Sequence, residues 1–124
     1  MARILVVDDD AATRSLVRDV LEADGHHVEV VPDGFAALRR AQALRPDCVV
    51  LDVMMPGLDG HSVLDRLRAS DGGRDLPVIM LTALTDAGHA WRAWGEGVHC
   101  FMTKPFDAAE LLDQVDGLVG RRSA

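Results

Sequence analysis

The chain has no tyrosine, and only two cysteines and two tryptophans in 124 residues. Without tyrosine, no phenol is available to bond a partner. Cys48 and Cys100 form no CxxC pair, so neither a zinc ribbon nor a dithiol redox motif is expected. Both fall in predicted strands and read as small, buried, reduced thiols. Basic residues are outnumbered, with 13 Lys and Arg against 20 Asp and Glu, a net charge of −7 and a pI near 5.0. That balance argues against non-specific nucleic-acid binding and against attraction to an anionic membrane; it does not exclude a basic protein partner. No apolar run approaches the roughly 20 residues of a membrane span. The apolar run after Met1-Ala2-Arg3 is too short for a signal peptide and ends abruptly in acids. These features predict a cytoplasmic protein. Five histidines are scattered, and in the one adjacent pair, His26-His27, strand geometry sends the side chains to opposite faces. A histidine metal site is not expected.

What is present is alternation. Ile4 to Val7, Val28 to Val31, Cys48 to Leu51, Val78 to Leu81 and Phe101 to Thr103 are short β-type runs. Helix-period segments separate them. The first covers residues 11–24, with Leu16, Val17, Val20 and Leu21 apolar, Asp10 as cap and Gly25 as stop. The second opens at Asp33-Gly34 and stops at Pro46; the third carries Val63, Leu64 and Leu67. The fourth covers residues 86–96 and is weakened by Gly88 and Gly95. The last starts at a capping-box-like Asp107-Ala108-Ala109-Glu110, runs to about Val119 and has Leu111, Leu112, Val115 and Leu118 on one face. Five βα units predict a single α/β domain over 1–120, with a parallel sheet covered by helices on both faces and 121–124 as a tail or linker.

Polar groups close four of the strands: Asp8-Asp9-Asp10, Asp52, Thr82 and Lys104-Pro105. In a parallel α/β sheet those ends share the ligand-binding edge. Acids, a hydroxyl and an ammonium converging there suit a divalent cation and a phosphoryl group. Three carboxylates a few ångströms apart should raise at least one pKa unless a cation is present.

Taken together, Ile4–Asp10, Leu51–Gly60, Leu81-Thr82-Ala83 and Thr103-Lys104-Pro105-Phe106 resemble the receiver domain of two-component response regulators. The resemblance covers essentially the whole chain, in order. It implies a flavodoxin-like, doubly wound sheet in order 2-1-3-4-5 with five helices. It implies Asp52 as phosphoacceptor and a Mg²⁺ (or Mn²⁺) ion held by Asp9, Asp52 and the backbone carbonyl of Met54, with Asp8 acting through water. It also implies Lys104 as the cation for a phosphate oxygen, a cis bond before Pro105, and Thr82 and Phe101 as the switch pair. The implied partners are a histidine kinase or histidine phosphotransfer protein upstream, and downstream a protein that meets the face of the fourth helix, fifth strand and fifth helix. Trp91 and Trp94 lie on that fourth helix, at i, i+3 core spacing.

The chain departs from the family in three places. The switch aromatic is Phe101 where many members have tyrosine. Val98-His99-Cys100 stands where DNA-binding members have two acids, and the last helix carries Glu110, Asp113 and Asp116 where they have basic residues. Their salt-bridged dimer is therefore not expected; a monomer or weak dimer is, with no direct nucleic-acid or membrane contact. Met54 and Leu84 offer no acid or amide beside the site, which points to slow loss of the phosphate. Two other classes compete. A non-phosphorylated pseudo-receiver would be a pure binding module, and such modules commonly lose one of Asp8, Asp9, Asp52, Thr82 or Lys104. A Mg²⁺-dependent phosphohydrolase would want a second acid two residues after its nucleophile, where this chain has Met54. A flavodoxin is an alternative at the level of fold only.

Overall fold

The computed structural model describes residues 2–70, 72–83 and 99–123. Five strands, β1 (Arg3–Val7), β2 (His27–Val31), β3 (Cys48–Asp52), β4 (Val78–Ala83) and β5 (Cys100–Lys104), form one sheet in the order β2-β1-β3-β4-β5. Every pairing is parallel. Four helices are described: α1 (Ala11–Ala23), α2 (Gly34–Leu44), α3 (Gly60–Ala69) and α4 (Ala108–Ser123). The predicted order holds. The predicted fourth helix, with Trp91 and Trp94, lies outside the described residues.

The strands carry continuous apolar runs because both faces are covered. Alternate residues sort by side. Leu5, Val7, Val49, Leu51 and Met80 pack with Val63, Leu64 and Leu67 beneath α2 and α3. Ile4, Val6, Val50, Ile79 and Leu81 pack with Val17, Leu21, Leu111 and Val115 beneath α1 and α4. Leu16 departs from its predicted place and is 53% exposed. A rotation of about 100° per residue puts it beside the Val17–Leu21 stripe rather than in it. Cys48 is buried as expected, but Cys100 is half-buried, because β5 is an edge strand.

Helix starts follow the local sequence. Asp10 accepts from the Thr13 N–H, Asp33 from that of Ala36, Asp59 from that of Ser62, and Asp107 from those of Ala109 and Glu110. Each satisfies a donor that the first turn leaves open. Gly25 ends α1 at φ +89°. α4 runs to Ser123, four residues past its predicted end. Gly120 does not take a positive φ, so it does not terminate the helix, and no proline follows to do so.

Candidate functional site

The sheet register builds the site. Val7 pairs with Leu51, so Asp8 and Asp52 are next-door neighbours at the C-terminal edge. Asp52 is opposite Leu81 and Ala83 is opposite Lys104, which brings the ammonium of the edge strand toward the central acids. Carboxylate oxygens of Asp8, Asp9 and Asp52 lie within 4.8 Å of one another. Asp8 is fully buried and Asp52 nearly so, while Asp9 is exposed.

Lys104 Nζ donates to Asp8 Oδ2 at 2.9 Å and stands 3.3 Å from Asp52 Oδ1. The other Asp8 oxygen accepts the Asp10 N–H at 2.9 Å, and Asp52 Oδ1 accepts the Met54 N–H at 3.3 Å. Burial, and then the charge of Asp8, push the Asp52 carboxyl up to about 6 despite the opposing pull of Lys104. Burial alone would lower the Lys104 ammonium. The hydrogen bond to Asp8 and the charges of Asp52 and Asp8 outweigh it, and the net shift is upward. The site therefore stores negative charge that one ammonium offsets only in part.

Close packing fixes Asp52 from behind. A Cβ on Gly60 would lie 2.5 Å from the Asp52 carbonyl oxygen and 2.8 Å from Val53 Cα. Only glycine lets α3 begin this near the strand end. The Lys104-Pro105 bond is cis, as the resemblance implies. Met54 is exposed at the rim and Phe101 is half-buried in β5. Thr82 lies one residue before the end of β4, opposite Thr103; its side chain, like Leu84, lies outside the described residues.

Two contacts were not anticipated. Arg14 Nη1 donates to the Asp8 backbone carbonyl at 2.8 Å, bracing the loop from α1. Its only sequence signal is a basic residue one turn into the helix that follows the acids. The second is a trio at the other end of the sheet, where the Nε2 of the buried His26 is 3.0 Å from Asp116 and 3.4 Å from Asp24, two exposed acids.

The donor set is hard oxygen on three carboxylates, which fits Mg²⁺ or Mn²⁺ and does not fit a soft thiophilic metal. Among the described residues no helix is long and apolar enough to cross a membrane.

Residues 4–116 match the family model of the response regulator receiver domain. The chain is 40% identical to the DNA-binding dual master transcriptional regulator RpaA of a Synechocystis strain, over 98% of this chain and 50% of that protein. It is 44% identical to response regulator MprA of a Mycobacterium strain, over 98% of this chain and 52% of that protein. It thus spans about half the length of these relatives. The receiver domain of the sensor histidine kinase PA1611 from Pseudomonas aeruginosa, solved with a magnesium ion in its active-site cleft, is 33% identical. It superposes with a TM-score of 0.88, over 96% of this chain and 98% of that one. The chain belongs to the response regulator receiver domain family.

Proposed function

We propose that this receiver takes a phosphoryl group onto Asp52 from a phosphohistidine of a histidine kinase or histidine phosphotransfer protein. The observation that carries the proposal is the convergence of Asp8, Asp52 and Lys104 from three strand ends, with Lys104 Nζ within 3.3 Å of both acids. An Asp52 carboxyl near 6 is mostly ionised at neutral pH and competent as a nucleophile. Its oxygen attacks phosphorus as the donor P–N bond breaks. The electron pair of that bond stays on the imidazole nitrogen, which takes up a proton, and the product is an aspartyl phosphate.

Asp9, Asp52 and the Met54 carbonyl would hold Mg²⁺ (or Mn²⁺) directly, with Asp8 reaching it through water. When bound, the ion supplies positive charge against the phosphoryl oxygens. Lys104 moves from Asp8 and Asp52 to a phosphate oxygen, and Pro105 fixes the turn that aims it. The Thr82 hydroxyl bonds the phosphate and Phe101 moves inward, biasing a two-state surface made of residues 86–96, β5 and α4 toward a downstream protein. The chain acts as a switch and catalyses only its own phosphorylation and dephosphorylation. Neither DNA nor a membrane is assigned to these 124 residues, and a monomer or weak dimer suffices. Domain limits of 1–120 with a short tail at 121–124 accompany this reading.

Intact mass after incubation with Mg²⁺ and acetyl phosphate tests it. Wild type should gain one phosphoryl group and Asp52→Asn none. Gain by both would sink the assignment of Asp52. Gain by neither, with a histidine phosphodonor also failing, would favour the pseudo-receiver.

A further inference from the structure

Away from the acids, at the other end of α3, lies a groove of about 660 Å³ between the C-terminal halves of α2 and α3. Leu38, Ala41, Leu67 and Leu76 give it an apolar floor, and Arg45 and Arg66 stand on its rim. Both arginines are exposed. Two neighbouring cations are engaged: Arg40 pairs with Glu29, and Arg68 donates to the carbonyls of Gly73 and Leu76. Arg45 and Arg66 make no ion pair among the described residues, in a chain whose net charge is −7. Arg66 also complements the C-terminal dipole of α3, but that role needs no second cation across the groove.

Arg45 carries a second signal. It caps α2 at φ 49° and ψ 66°, the only non-glycine residue with positive φ among those described. Glycine adopts this conformation freely and a residue with a Cβ does not. Pro46 follows immediately and stops the helix whatever precedes it. The backbone thus favours glycine at 45, and the guanidinium placed there serves something other than the turn.

The surroundings select the kind of occupant. The groove lies at the C-terminal ends of two helices, where dipoles disfavour a compact phosphate. The Gly73 and Leu76 N–H groups are taken by the Ser70 and Gly73 carbonyls, so neither is offered to an anion. Isolated cations over an apolar floor suit a chain that alternates carboxylates with an apolar anchor. We propose that this groove docks an extended acidic segment of a partner protein, with an apolar side chain seated on the half-buried Leu38 and Ala41 and flanking carboxylates paired with Arg45 and Arg66. The ten residues of α3, about 15 Å at 1.5 Å per residue, separate the groove from Asp52, so it can be filled while the acids remain accessible. The proposal does not depend on Asp52 being a phosphoacceptor.

The test selects displayed short random peptides on the whole chain, synthesises the enriched ones and measures affinity for wild type, Arg66→Glu and Arg45→Gly. Enriched peptides should carry acids flanking an apolar residue and shift the amides of Ala41, Ser70 and Gly73. They should lose about tenfold or more in affinity to each variant. Arg45→Gly should keep or raise the thermal midpoint while it loses binding, a separation that a merely structural arginine would not give. Absence of enrichment, basic or neutral peptides, shifts mapping elsewhere, displacement by millimolar phosphate or ATP, or a lowered midpoint in Arg45→Gly would each overturn the proposal.

Discussion

Lys104 Nζ lies 2.9 Å from Asp8 Oδ2, on a carboxylate with no exposed surface. A buried acid so placed depends on its partner, because removing one member leaves an uncompensated charge. Lys104→Met should therefore destabilise the metal-free chain. Lys104 keeps 29% side-chain exposure, so solvent moderates the loss to about 1–2 kcal/mol, below the range for fully buried pairs. Urea unfolding with and without Mg²⁺ checks this. The ion should restore more stability to the variant than to wild type, and an equal response would contradict a shared carboxylate site.

Asp52 gives the site a pH dependence whose sign can be fixed. Burial and Asp8 raise its carboxyl from 3.8 to about 6. Between those values the folded chain binds more protons than the unfolded one, so the Asp52 contribution to stability falls as pH rises through that window. The full penalty is at most about 3 kcal/mol and is reached above the folded value. Asp52→Asn cannot ionise and escapes it. Without metal, the variant should gain on wild type by about 2 kcal/mol between pH 4.5 and 7.5, and saturating Mg²⁺ should shrink the gap. Urea titrations across that range decide it; a flat difference refutes the raised value.

Much of this site was legible because each acid or ammonium follows an apolar run, and a parallel sheet has one ligand-binding edge. Asp8, Asp52 and Lys104 met where strand counting put them. The strand order itself came through the family resemblance, since alternation predicts parallel strands but not their sequence across the sheet. What stayed hidden depends on long-range geometry. Arg14 reads as one more basic residue on α1 until the helix turns it onto the Asp8 carbonyl. Leu16 belongs to an apolar cluster in sequence and to the surface in space. The last helix, whose pattern predicts an end near Val119, runs on through Gly120, whose φ does not turn positive, to Ser123.

Gly60 tests how far the backbone behind Asp52 can yield. A methyl group there would press on the Asp52 carbonyl oxygen at 2.5 Å, on Val53 Cα at 2.8 Å and on the Met80 methyl at 2.9 Å. The methionine end can swing away; the two backbone atoms cannot. Gly60→Ala should cost about 2–3 kcal/mol by overpacking and displace α3. It should also slow phosphoryl uptake from acetyl phosphate, because the nucleophile moves with its carbonyl. Calorimetry and intact mass over time report the two effects. A variant with wild-type stability would show that α3 starts farther from β3 than the structure places it.

His26 makes a final prediction that separates a clamp from a metal site. Asp24, His26 and Asp116 bring ligand atoms within 4.8 Å of one another, a spacing that would suit zinc. The hydrogen bonds say otherwise. His26 Nδ1 accepts the Ala2 N–H at 3.2 Å, so the ring proton of the neutral imidazole sits on Nε2, which faces Asp116 at 3.0 Å. A metal would need the Nε2 lone pair and would push the proton onto Nδ1, against the Ala2 donor. The ring instead ties the start of β1, the end of α1 and α4 together. His26→Ala leaves the Ala2 N–H without its acceptor and should cost about 2 kcal/mol. Asp116→Ala, at a half-exposed carboxylate, should cost about 0.5 kcal/mol. Added zinc should leave the thermal midpoint of wild type where it is. A zinc-induced rise that disappears in His26→Ala would reverse the assignment and make the trio a metal site.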